Sequence, residues 1–217
     1  MSVPERLAPL LAQFDVGRER LSRRLVGPTV DSGDGAPVEV PPLTDDEYLW
    51  EPVAGCWSVR RHTDGPGPGA TVLVGAGEWG RDGGRPHPYP PPVTTIAWRL
   101  EHLAEMLEGR ADHLVGSHAH TEEEYVVAGT AAEGVAAFER GASAWRGVLT
   151  GADDEALDAV GRSTYPYGSD PEDPLIETVW WVNQELLHHG AEIALLRDLY
   201  RARPLAGPGG EEEDLRA

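Results

Sequence analysis

Apolar side chains recur at three- and four-residue steps in several long stretches of the chain, and each stretch predicts an amphipathic helix. In residues 3–25 the stripe is Leu7, Leu11, Phe14, Leu21 and Leu25, with Arg18 in the remaining place. A second helix starts at Thr94 and carries Ile96, Leu100, Leu103, Leu107, Ala111 and Leu114. A third covers 130–149, with Val135, Phe138, Ala142, Trp145 and Leu149 at heptad-like spacing. The fourth begins at Pro174 or Leu175, after acidic residues that suit a helix N-terminus. It runs to Arg203, and Pro204 stops it.

The segments between them read differently. Residues 26–43 are rich in proline and glycine and predict a loop. In "LTDDEYLWEPVAGCWSVR", Thr44 is placed to cap a short turn with Glu47 three residues on, and Pro52 to end it. "WSVRR" and "TVLVG" have strand-like composition and predict a short hairpin. The Gly/Pro-rich stretches up to residue 93 read as a long ordered loop, which either covers a site or is surface irregularity. "TGADDEAL" reads as a turn, and "GPGGEEEDLRA" as a solvated tail. Amphipathic helices of this length predict an antiparallel helical bundle. The expected fold is all-α, with long irregular loops and a small β-hairpin between the first two long helices. The expected organisation is one domain over 1–204 and a disordered acidic tail over 205–217.

Composition removes several kinds of chemistry. The chain has 217 residues and a formal charge of −19, from 37 acidic and 18 basic side chains. Such a field repels phosphate backbones and anionic lipid, so neither nucleic acid nor membrane is expected as a partner. Every basic residue is arginine, which excludes a Schiff-base lysine and a P-loop lysine. Cys56 is the only cysteine, so no intrachain disulfide and no cysteine-based zinc cluster can form. No run approaches a membrane span, and "MSVPERLAPL" lacks the basic start and apolar centre of a signal peptide. These features predict a cytoplasmic protein.

The fourth helix carries the chemistry. Leu175, Val179, Val182, Leu186, His189, Ile193, Leu196 and Tyr200 form an unbroken seam of alternating four- and three-residue steps. At about 100° per residue, His189 lies within roughly 30° of the seam centre, Glu185 about 70° off it and His188 about 130° away. Of the adjacent histidines, His189 is the one placed for the interior. Glu185 and His189 are four residues apart, so their side chains meet. Two readings follow: a hydrogen-bonded pair without metal, or one oxygen and one nitrogen ligand for a divalent cation. A third ligand would come from another helix. His102 is the best placed, since His113, His118 and His120 lie towards or beyond the end of the second helix. His102 sits about 140° from the leucine stripe of its helix, on a second ridge with Trp98 and Met106, which predicts a helix covered on both sides.

"PPVTTIAWRLEHLAEML" and "WVNQELLHHGAEIALLRDLY" resemble the DinB-like superfamily, which includes the mycothiol-dependent maleylpyruvate isomerases. "LTDDEYLWEPVAGCWSVR" is similar to the segment after the first helix of actinobacterial members. The three stretches cover about a quarter of the chain, and the helix order fits nearly all of it. The resemblance implies an up-down-down-up four-helix bundle, commonly a homodimer, holding zinc or nickel with residues of the second and fourth helices. It places His102, Glu185 and His189 as the metal ligands, the last two as the Glu-x-x-x-His of the isomerase branch. Aligning on the following glycine would select His188 instead, with Gln184 in the earlier place. The resemblance further implies use of a low-molecular-weight thiol such as mycothiol, with a small electrophilic molecule as substrate.

Other features carry less. Cys56 has no local histidine or helix N-terminus to activate it and reads as a buried small residue. "SHAHTEEEY" resembles a metal cluster but reads as an acidic helix start. Trp50, Trp57, Trp79 and Trp98 would line a pocket or close the core. No Gly-x-Ser-x-Gly, P-loop or dinucleotide motif occurs. The expected function is a metal-dependent enzyme that uses or transfers a thiol. Its rivals are a non-catalytic dimeric metal-binding or stress-response module and a metal-dependent hydrolase of a small molecule.

Overall fold

A computed structural model describes residues 3–27, 29–31, 37–161 and 172–203; the expected acidic tail lies outside them. The elements run α1 (Ala8–Val26), β1 (Thr29–Asp31), β2 (Pro37–Glu39), α2 (Asp45–Tyr48), β3 (Val59–Arg61), β4 (Val72–Val74), β5 (Trp79–Gly83), α3 (Ile96–Val115), α4 (Ala131–Gly151), α5 (Asp154–Asp158) and α6 (Leu175–Ala202). Each long helix falls where the apolar periodicity places it, and local chemistry sets its ends. Gly27, at φ 71°, closes α1 in the left-handed conformation, and a Cβ there would collide with the Val40 carbonyl. Thr95 caps α3 by accepting from the Trp98 amide at 3.2 Å, and Thr130 caps α4 through the Glu133 amide at 3.3 Å. Thr44 caps α2 through Glu47, as the sequence predicts. "TGADDEAL" holds the short helix α5 rather than a simple turn, because Asp153 accepts from the Ala156 amide at 2.8 Å.

Contacts fix the relative directions of the long helices. Asn183 of α6 reaches the Leu10 carbonyl of α1, and further along Asp198 meets Arg24, so α1 and α6 run the same way. Arg146 of α4 pairs with Asp15 and Arg18 with Glu139, so α1 and α4 run oppositely. Arg99 meets Glu192 while Arg110 lies over Trp181, so α3 and α6 also run oppositely. The helix α3 is central. Its leucine stripe is buried; on the second ridge Met106 is buried, and Trp98 and His102 are half-buried. The second ridge is thus partly covered, which the sequence predicts only in direction.

The strictly all-α expectation is corrected. The strands β3, β5 and β4 form an antiparallel sheet in that order, and β1 pairs with β2. The predicted hairpin of "WSVRR" with "TVLVG" does not form; β5 separates them, with Val59 opposite Arg81 on one side and Val74 opposite Arg81 on the other. The acidic helix start expected in "SHAHTEEEY" is also absent. His118 adopts φ 60°, residues 122–124 form a turn, and Asp112 holds this loop by accepting from the amides of Ser117, Ala119 and His120. No helix among the described residues is long and apolar enough to cross a membrane.

Candidate metal centre

His189 sits in the buried seam of α6 at 5 % exposure, while His188 and Gln184 face outward. Its Nε2 lies 3.0 Å from Glu185 Oε2, one turn earlier. From α3, His102 Nε2 reaches the same oxygen at 3.2 Å. The two imidazoles meet edge to face, 5.0 Å apart and inclined at 84°. One ligand atom from each of His102, Glu185 and His189 therefore falls within 4.8 Å of the others. The geometry brings together the residues that the sequence singles out.

The surroundings set their protonation. Burial pushes His102 down to about 4, against the opposing hydrogen bond to Glu185, so its imidazole is neutral. Burial opposes ionisation of Glu185, but hydrogen bonds from His102 and His189 outweigh it and hold the carboxyl below the usual range. Burial also opposes charging of His189, and its bonds to Glu185 and Glu192 more than offset this. Glu192 Oε2 lies 2.7 Å from His189 Nδ1 and 2.9 Å from Arg99 Nε. A carboxylate at Nδ1 fixes that nitrogen as a donor and directs Nε2 to the centre, a common arrangement behind metal-bound histidines. A neutral imidazole, a carboxylate and a second imidazole backed by an acid form a donor set suited to a divalent cation. A second grouping, His188, His189 and Glu192, uses the other nitrogen of His189. Its His188 is 61 % exposed and Glu192 is already held by Arg99, so it fits an ion less well.

A cavity of about 480 Å³ opens beside His102. Trp57, Trp98, Trp181 and Met106 supply apolar surface, and Val72, Val74 and Arg81 of the sheet form the facing wall. Trp98 is fixed by donating to the Asp82 carbonyl at 2.7 Å, and its ring stacks on His102 at 5.5 Å and 21°. The triad is thus braced by an indole that also lines the cavity. A family model for the DinB superfamily matches residues 39–193, well over half of the chain.

The chain belongs to the DinB superfamily. No curated protein and no solved structure gives a significant match. All three candidate ligands of this DinB protein, and Glu192, fall inside the matched span.

The remaining sequence candidates separate. Cys56 is buried and burial pushes its thiol up, which leaves it a packing residue. His120 bonds to Glu105 at 3.1 Å, and His113 and His118 meet edge to face at 6.1 Å; the three candidate ligand atoms come from other residues. Of the tryptophans weighed from sequence, Trp57 and Trp98 line the cavity. Trp50 packs against Tyr200, and Trp79 lies beneath Arg61. Glu192, Arg99 and Arg81 were not singled out by sequence. Glu192 had a local signal, an acid three residues after the inward histidine; Arg99 and Arg81 had none.

Proposed function

We propose that this DinB protein is a metal-dependent enzyme that uses or transfers a low-molecular-weight thiol of the mycothiol type to a small electrophilic molecule. The observation that carries the reading is the convergence of His102, Glu185 and His189 beside a largely apolar cavity. These three residues would hold zinc or nickel, and three protein ligands leave positions open for chemistry. A cation bound there supplies the Lewis acidity that lets a thiol or a water ionise near neutral pH. The chain's own groups prepare for it. Glu185 contributes the negative charge, burial keeps His102 unprotonated, and Glu192 holds the Nδ1 proton of His189 while Arg99 holds Glu192. Trp57, Trp98 and Trp181 limit water in the cavity where the small molecule would sit.

The helix directions support an up-down-down-up four-helix bundle as the core of the domain. The exposed Trp180, Leu187, Leu195 and Leu199 on α6 support a homodimer.

Metal analysis of untagged protein tests the site. Wild type is expected to carry about one equivalent of divalent metal, and His189→Ala to lose it with an unchanged circular dichroism spectrum. Equal occupancy in both proteins rejects His189 as a ligand. Incubation with mycothiol and an aryl halide then tests the chemistry. Equal rates with loaded and metal-stripped protein would reject thiol transfer.

A further inference from the structure

The cavity beside His102 contains a buried cation that the proposed metal chemistry does not use. Arg81 stands in the middle of β5, the central strand of the sheet, and is 8 % exposed. It lines the cavity, with its guanidinium 5.4 Å from the Trp98 ring. Its polar contacts are long: Nη2 is 3.5 Å from Glu122 Oε1 and 3.9 Å from Glu105 Oε2. Among the described residues, that long contact to Glu122 is the one side-chain hydrogen bond found for its guanidinium. A guanidinium removed from water needs acceptors. A strand flanked by Val59 and Val74 holds this one in place at the cavity wall.

We propose that Arg81 receives the carboxylate of a small molecule whose apolar, aromatic-sized body fills the cavity between Trp57, Trp98 and Trp181. The planar fork of arginine matches a carboxylate with two parallel N–H···O bonds. The neighbouring acids do not hold the guanidinium closely. Glu105 is answered by His120 at 3.1 Å, and Glu122 meets Arg81 only at the outer limit of a hydrogen bond. Two formal negative charges beside these acids would be repelled, which favours a monocarboxylate over a phosphate dianion. The volume of 480 Å³ falls within the range of about 300–1,000 Å³ usual for small-molecule sites. The same indole contacts both Arg81 and His102, so a molecule anchored at Arg81 presents its body to the candidate metal centre. This names a substrate class for the site proposed above and rests on that reading for its chemistry, but not for its binding.

Binding is measured by calorimetry and tryptophan fluorescence on the full chain, with its metal and after chelation. The probes are 3-phenylpropionate, its amide, 3-phenylpropylamine and inorganic phosphate. The carboxylate is expected to bind about ten-fold or more tightly than the amide, because the site's charged donors are met by one and not the other. Arg81→Gln removes that preference. Glu122→Gln, on the connecting loop, strengthens carboxylate binding and tests the idea with the opposite sign should the strand variant fail to fold. A preference that survives in metal-stripped protein supports the anchor even if metal analysis fails to find a bound ion. Equal affinity for acid and amide, tightest binding of the amine, displacement by phosphate, or a preference unaffected by either variant overturns the proposal. Normal metal loading beside any of those results leaves the metal centre standing and removes Arg81 alone.

Discussion

At His189 the two ring nitrogens have different neighbours, and the difference shows what each residue of the centre contributes. Nε2 faces Glu185 and His102, whereas Nδ1 faces Glu192, itself tied to Arg99. Replacing Glu192 with Gln keeps an oxygen near Nδ1 but removes the charge that holds the proton there and the ion pair with Arg99. Metal affinity is expected to fall about 10–100-fold, the usual cost of losing such a supporting contact. Thermal stability should scarcely change, since a third-exposed ion pair contributes at most about 1 kcal/mol. Titration against a chelating dye, beside a thermal melt, checks both halves; an unchanged affinity would leave Glu192 a surface acid. Much of this centre was legible. Helix arithmetic turned His189 inward and His188 outward, and four-residue spacing paired Glu185 with His189. Glu192 was harder to read, because acids three residues from a histidine are common on solvated faces. Arg81 was illegible, since its meaning depends on which strands flank it.

Among the elements, the long helices were readable because apolar periodicity and threonine caps agree. The sheet was not, because β5 reads "WGRDG" and glycine is depleted in strands. Its glycines answer close packing instead: a Cβ at Gly80 would lie 2.8 Å from the Leu73 Cβ, and one at Gly83 would lie 3.3 Å from two valine methyls. Proximity of this kind is invisible until the strands are paired. The same logic gives a sign test where α3 meets α4. At Gly141 in α4, an added Cβ would lie 2.8 Å from the Ala104 carbonyl and 3.2 Å from the Leu107 Cβ. Helix propensity alone would make Gly141→Ala stabilising by about 1 kcal/mol. Backbone cannot yield as a flexible side chain can, so the helices must separate and the net effect is expected to be a loss of about 1–3 kcal/mol. Urea unfolding decides between the signs, and a rise in midpoint would show that the interface relaxes without cost. Arg197 gives a second case, joining α6 to α2. It is fully buried and bonds to Glu47 at 2.7 and 3.0 Å. Arg197→Met leaves the buried Glu47 carboxylate only the longer contact to Arg201 at 3.7 Å and is expected to cost about 3 kcal/mol. The double change with Glu47→Leu should recover most of that in the same urea series, and no recovery would mean that the pair's geometry, rather than its charge, holds α2.

Across the whole molecule, a charge of −19 makes acidity a test of which acids the fold uses and which it only carries. The loop between α3 and α4 separates two such effects. Hydrogen bonds from the backbone of His120, then from Ser117 and Ala119, outweigh partial burial and hold the Asp112 carboxyl below the usual range. A carboxyl depressed by folding stabilises above its unfolded value, about 3.9, and that contribution is lost as pH falls through the folded value. His120 shifts the other way. Its bond to Glu105 outweighs burial and raises the imidazole. A raised histidine stabilises fully below its unfolded value, about 6.5, and loses the contribution as pH rises through the folded value. The two windows overlap between about pH 4 and 6.5, so the loop is expected to be most tightly held there. Protection factors for the amides of Ser117, Ala119 and His120, corrected for intrinsic exchange, should peak in that interval and decline on both sides. Asp112→Asn should remove the acid-side decline and His120→Gln the alkaline one. A flat profile in the parent protein would mean that neither charge holds the loop. The crossing also bears on the cavity: as His120 loses its proton, the Glu105 charge is offset less and weighs more on Arg81, so carboxylate binding should weaken at the alkaline edge of the same window.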